Sequence, residues 1–149
     1  MDMKELYNNM GGEIKEFEKF EGDLHKGYKF TYEKRLSEVD VQFFGLVSGD
    51  FNPVHFDEKI ASGTRFGGRI VHGMLTTSLV SAALARLPGL VIILETYFRY
   101  TAPVRIGDVV KVEGVVKEAD MAKKQYKIDI TCSVEDKTVI QGWTNILIW

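Results

Sequence analysis

Between Gly27 and Lys34 aromatic and polar residues alternate: Tyr28, Phe30 and Tyr32 against Lys29, Thr31 and Glu33. A period of two puts each set on its own face of an extended chain, so the segment predicts a first strand. The period then changes. Ser37-Glu38-Val39-Asp40 reads as an N-cap with an acidic residue three positions on, which opens a helix. That helix carries Val39, Phe43, Leu46 and Val47 on one face. Gly49 stops it, because glycine tolerates the left-handed conformation at a helix C-terminus. Asp50 therefore falls just past a helix end, in a loop that Asn52-Pro53 keeps non-helical, since a residue before proline avoids the α region. Asp57-Glu58 caps a further short helix through Lys59, Ile60 and Ala61, and Gly63 to Arg69 reads as a flexible glycine-rich connection.

Val71 to Leu87 is the most apolar run and predicts one long helix, hydrophobic nearly all round and closed by Pro88-Gly89. After it the period returns to two. Leu94 to Tyr100, Val110 to Lys117, Tyr126 to Val134 and Val139 to Trp149 each alternate, with Glu135-Asp136-Lys137 as a short turn between the last two. A helix apolar on every side must be covered on every side, and an antiparallel sheet curled around it does that. The fold class is α+β. Residues 25–149 form the domain. Residues 1–24, with sparse apolar positions at Leu6, Met10, Ile14, Phe17 and Phe20, are an appendage of one or two helices around Gly11-Gly12.

Composition narrows the function. Of 149 residues, 45% are hydrophobic and 27% charged, in the range of an ordinary globular domain. The net charge of −2 comes from interspersed acids and bases, so nothing supplies the basic stripe of a nucleic-acid binder. The N-terminus is too polar for a signal peptide, and the apolar run is interrupted by His72 and hydroxyl residues and is too short for a bilayer span. The expectation is a cytoplasmic protein that binds neither nucleic acid nor membrane. The one cysteine, Cys132, is in phase with Tyr126, Ile128 and Ile130 and reads as core.

Two of the three histidines, His55 and His72, flank the glycine-rich connection. His55 lies five residues after Asp50 on a constrained loop. A carboxylate and an imidazole held there can converge on one water or one substrate proton, near the pH where imidazole titrates. The plainer reading is an Asx-turn and a surface histidine. Around His72-Gly73 the long helix begins, where unpaired backbone N–H groups and the helix dipole favour developing negative charge. Gly73 lets a carbonyl oxygen approach that backbone, or is simply small for packing.

The run Phe44-Gly-Leu-Val-Ser-Gly-Asp-Phe-Asn-Pro-Val-His55, followed by Phe66-Gly-Gly-Arg-Ile-Val-His-Gly-Met-Leu75, resembles the MaoC-like (R)-specific enoyl-CoA hydratases, in its G-D-x-N-P-x-H and I-V-H-G-M signatures. The resemblance spans about Tyr28 to Trp149. It departs where many members read F-G-R-P, since here Phe66-Gly67-Gly68-Arg69 stands. It implies a hot-dog fold, a curved antiparallel sheet wrapped around one long central helix, working as a homodimer or dimer of dimers. It implies Asp50 and His55 as the catalytic pair, Asn52 as orienting the loop or the histidine, Gly73 N–H with His72 as the oxyanion and substrate-binding corner, and Ser81 as lining the acyl pocket. The reaction implied is syn hydration of a trans-2-enoyl thioester, with acyl-CoA or acyl-ACP as substrate and neither metal nor other cofactor. Arg65, Arg69 and Lys59 are the cations at hand for CoA phosphates. The rivals are a 3-hydroxyacyl-ACP dehydratase, a hot-dog thioesterase, which generally lacks the G-D-x-N-P-x-H motif, and a non-catalytic acyl-CoA binding protein.

Overall fold

Each alternating segment becomes a strand: β1 (Lys29–Arg35), β2 (Val91–Tyr100), β3 (Val109–Asp120), β4 (Gln125–Val134) and β5 (Lys137–Ile148), in a computed structural model that describes residues 1–149. They form one antiparallel sheet in the order β1-β3-β4-β5-β2. The buried positions of β1, β3, β4 and β5, among them Phe30, Val112, Ile128, Ile130 and Ile146, close over Leu75, Leu79, Val80, Ala83 and Leu84 of the central helix. Cys132 is a core residue as expected, and burial pushes its thiol up to about 12. No helix is long and apolar enough to cross a membrane.

The helices are α1 (Met3–Asn9), α2 (Glu38–Ser48), α3 (Pro53–Phe56), α4 (Glu58–Ser62) and α5 (Gly73–Leu84). The capping box on α2 is present, with Ser37 N–H donating to Asp40 Oδ2 at 2.7 Å. Gly49 ends α2 at φ 79°. Four expectations need correction. Leu46 and Val47 are 72% and 84% exposed. In that last turn Gly45 faces the domain, set so close to Phe56 and Phe51 that a Cβ would lie 2.7 and 3.0 Å from their rings. Leu46 and Val47 are turned outward. Asn52 is extended as predicted, but Pro53 at once begins a helical turn, so His55 sits on α3 and not on a loop. Proline is well suited to the first helical position, where no N–H partner is needed.

The connection after α4 is anchored, not loose. Arg105 donates to the carbonyls of Phe66, Gly68 and Arg69, and the Arg69 guanidinium donates at 3.0 Å to both oxygens of Glu38. Partial burial alone would raise the Glu38 carboxyl, but hydrogen bonds from Arg69 and Gln42 outweigh it and hold the group below its usual value. Finally, α5 is covered on only part of its surface: Met74, Ser78 and Ser81 lie open along one side.

The first residues contain one helix, α1, and then an irregular strap rather than a second helix. The Tyr7 hydroxyl donates to Asp40 at 2.5 Å, and Lys34 donates to Tyr7 at 2.7 Å. Further along, Lys19 donates to the carbonyls of Ala85, Leu87 and Gly89 at 2.6, 3.0 and 2.7 Å. The Arg86 guanidinium lies 4.4 Å over the Tyr32 ring and 5.2 Å over the Phe17 ring. The strap therefore grips the C-terminal end of α5.

Candidate active site

Asp50 follows the left-handed Gly49, and a ladder of short-range hydrogen bonds fixes the chain from there to His55. Asp50 N–H donates to Ser48 Oγ at 3.1 Å, Asn52 N–H to Asp50 Oδ1 at 3.1 Å, and Val54 N–H to Asn52 Oδ1 at 3.3 Å. The Asx-turn is real, and it engages one carboxylate oxygen of Asp50 and leaves Oδ2 without a protein partner. Asn52 caps α3; it holds the turn and does not bond to the imidazole.

His55 is buried to 8% exposure. Its Nδ1 lies 2.8 Å from the Ile70 carbonyl. A carbonyl only accepts, so Nδ1 carries the hydrogen, and in the neutral ring Nε2 carries the lone pair. His72 is the N-cap of α5, and its Nε2–H donates to the Asp50 carbonyl at 3.0 Å. The two rings stack with centroids 3.9 Å apart, and Phe44 packs at 4.7 Å on the other side of the cluster. At 1% exposure His72 presents no edge to a ligand. Its ring ties Asp50 to His55. Burial, helped by neighbouring His55 and opposed by the hydrogen bond to Asp50, lowers its pKa from the ordinary value, so the ring stays neutral near pH 7.

Gly73 opens α5, and the N–H groups of a helix's first turn lack intrahelical partners. The Tyr100 ring lies close against it: a Cβ on Gly73 would meet two ring carbons at 2.6 and 2.8 Å. Two cavities flank this contact. One, of about 480 Å³, includes Gly73, Thr76, Tyr100, Ile140, Arg65 and Arg105 in its wall. The other, of about 420 Å³, lies between α5 and β2 and is lined by Met74, Ser78, Ser81, Ile93, Phe98 and Tyr100 among others. Neither Asp50 nor His55 is in the wall of either cavity; His55 is joined to the first through its hydrogen bond to the carbonyl of Ile70, a wall residue.

Asp50, His55, His72 and Gly73 thus meet in one corner, whereas Ser81 lies about two helical turns further along α5. The donor atoms of Asp50, His55 and His72 fall within 4.8 Å of one another, near enough to consider a cation. His72, however, has one nitrogen on a carbonyl and the other, Nδ1, buried without a partner. Two accessible donors remain, Asp50 and His55, a set better suited to a water than to a metal. Two contributors escape the sequence, the Ile70 carbonyl and the Tyr100 ring, and Arg69 has a contact the sequence did not suggest, its Nε donating to the His55 carbonyl at 2.7 Å. Backbone acceptors and a ring at a strand's end leave no motif. The Arg69 signal was present as a cation in the connection.

The MaoC like domain family matches residues 19–139. A 3-hydroxybutyryl-CoA dehydratase of Methylorubrum extorquens is 42% identical over 123 residues, covering 80% of this chain and 78% of the relative. An (R)-specific enoyl-CoA hydratase of Rhodospirillum rubrum is 38% identical over 128 residues, covering 85% and 89%. A crystal structure of an Archaeoglobus fulgidus protein superposes with a TM-score of 0.96 at 64% identity, over 99% of this chain and 93% of the other. The chain belongs to the MaoC-like dehydratase family and has its hot-dog fold.

Proposed function

We propose that the chain catalyses reversible syn addition of water to a trans-2-enoyl-CoA, giving the (R)-3-hydroxyacyl-CoA. The observation that carries this reading is the orientation of His55: with Nδ1–H donated to Ile70, Nε2 is the basic atom of a ring set beside Asp50. Asp50 Oδ2 and His55 Nε2 hold one water between them. His55 takes a proton from it as the oxygen bonds to C3, and the pair returns a proton to C2 on the same face, so no net proton is gained or lost. The thioester oxygen, which gains charge as C3 is attacked, is stabilised by the N–H of Gly73 at the positive end of α5. Dehydration runs the same steps backward. The dehydratase and hydratase among the relatives support the reaction class.

The working unit of this reading is a homodimer. Strand β2 is an edge that pairs only with β5, and its Ile92, Ile93, Leu94, Tyr97 and Tyr100 are 42–51% exposed. Such an edge next to the open side of α5 is a ready template for a second copy. Pairing there roofs the cavity between α5 and β2, where Ser81 lines the path of the acyl chain.

The test is to add crotonyl-CoA and follow the conjugated enoyl-thioester absorbance together with thiol release. Absorbance falls without thiol, and Asp50→Asn or His55→Ala lowers kcat by roughly 10²–10⁴-fold. Thiol release with the enoyl group intact refutes hydration in favour of thioester cleavage.

A further inference from the structure

Two adjacent residues, Arg69 and Ile70, hold His55 at both ends. The Ile70 carbonyl accepts from the ring at Nδ1, 2.8 Å away, and Arg69 Nε donates to the His55 backbone carbonyl at 2.7 Å. The Ile70 N–H adds a bond to the carbonyl of the preceding Val54 at 3.2 Å. Main chain and imidazole are thus clamped together, which sets where the ring sits and which nitrogen is free to take a proton.

Arg69 is itself held on three sides. Its N–H donates to Glu58 Oε2 at 3.3 Å, its carbonyl accepts from Arg105 at 3.4 Å, and its Nη2 donates to both Glu38 oxygens at 3.0 Å. Gln42 donates to the same carboxylate at 2.9 Å, which steadies Glu38 on the first turn of α2. One guanidinium therefore joins α2, whose far end delivers Asp50, to α3, which delivers His55. Its planar fork bonds a carboxylate and a carbonyl at once, whereas an ammonium on a flexible stem fixes neither direction. The Glu38 side chain is 50% exposed, so the pair adds little to stability. Arg69 also lines neither of the two cavities. Resting on the hydration reading, we infer that Arg69 is a positioning residue that acts through His55, holding Nε2 on the water shared with Asp50.

The experiment measures crotonyl-CoA hydration, thermal unfolding and the nitrogen NMR signals of the His55 ring in Arg69→Met, Arg69→Lys and Glu38→Gln. In Arg69→Met kcat falls roughly 10–100-fold, the order expected when a reacting group is displaced by about 1 Å. KM stays within about twofold and Tm within about 4 °C, because Arg69 touches no substrate space and its ion pair is half open to solvent. Arg69→Lys loses nearly as much, since an ammonium does not reproduce the fork. Glu38→Gln loses less, because Nε still reaches His55, and it keeps the test open if Arg69→Met does not fold. The His55 ring, a single Nδ1–H tautomer in the neutral wild type, divides between tautomers in Arg69→Met. In a His55→Ala background Arg69→Met lowers kcat no further. A loss there as large as in the wild type overturns the inference, and so does wild-type kcat in Arg69→Met or a change confined to KM. A wild type that hydrates no enoyl-CoA overturns the hydration reading instead. The clamp is then decided by NMR alone, and His55 signals unchanged in Arg69→Met overturn it.

Discussion

Replacing Gly73 by alanine adds one methyl group where the thioester oxygen is to approach the backbone. That methyl lies 2.6 and 2.8 Å from two carbons of the Tyr100 ring, against ~3.5–4.0 Å for ordinary carbon contact, so the ring must retreat by about 1 Å. Tyr100 can give way. It is 50% exposed, and its hydroxyl bonds only to the Met74 sulfur at 3.3 Å. The loss in stability therefore falls near the lower end of the ~1–3 kcal/mol typical of overpacking. The kinetic loss is larger. Alanine keeps the N–H but bars the oxygen from it, and losing one such donor costs about 10²–10³ in kcat, ~2.7–4 kcal/mol. The deciding comparison is Gly73→Ala made on top of Tyr100→Ala, measured by urea unfolding and by crotonyl-CoA hydration. With the ring gone the methyl meets no other neighbouring group closer than 3.4 Å, so the stability loss shrinks. The activity loss persists, because the methyl still fills the approach to Gly73 N–H. Recovery of kcat in that background refutes the oxyanion assignment and leaves Gly73 as a seat for Tyr100.

Two further outcomes follow from the buried and strapped groups. The folded state holds His72 below its ordinary pKa, so on acidification the unfolded chain takes up the proton first; the contribution of this group is full above about pH 6.5 and is lost as pH falls through the lowered folded value. Urea midpoints at about pH 7.5 and 5.5 then drop further for the wild type than for His72→Gln, and equal drops refute the account. Lys19→Met removes the cation from the carbonyl of Ala85, the C-cap of α5, and from those of Leu87 and Gly89 just beyond it, and lowers Tm by about 2–4 °C, the effect of roughly 1 kcal/mol. Its kcat for crotonyl-CoA stays at the wild-type value, since α5 separates the strap from Asp50 by about 18 Å.

The strands were legible because each alternates over enough residues for only one register to bury its apolar face: Val110, Val112 and Val116 of β3 are all at most 1% exposed. The same logic failed at β2, whose apolar residues stay exposed because it is an edge that a single chain does not cover. Local rules placed Ser37, Gly49 and Asp57 correctly, each being a capping position decided within four residues of chain. They misjudged Leu46 and Val47, since which face of a short helix points inward is set by Phe51 and Phe56, contacts made outside the helix. The connection from Gly63 to Arg69 looked loose from its glycines, and what anchors it, Arg105 and Glu38, lies far away in sequence. In the site, the spacing of Asp50 and His55 was visible. The role of the His72 ring was not, because burial to 1% exposure depends on Phe44 and Phe56 closing around it.

The electrostatics of the helices give an independent reason to place the oxyanion at α5. The helices α1, α2 and α4 each have acidic residues in their first turn, Glu5, Glu38 with Asp40, and Glu58, which answer the positive end of the helix dipole. The central helix, like the four-residue α3, has none. Its negative end is nonetheless well served, by the Lys19 ammonium on the Ala85 carbonyl and by Arg86 on that of Ala82. At its N-terminus the N-cap residue is His72, which burial holds uncharged. A positive imidazolium there would add to the dipole and also repel a proton arriving on His55, 3.9 Å away. A neutral His72 avoids that repulsion, and the nearby negative charge comes not from the helix's own first turn but from Asp50, whose carboxylate lies within 4.8 Å of the His72 ring. In the proposed reaction the N–H groups at this end then answer the charge that appears on the thioester oxygen as water adds and disappears when the reaction is over.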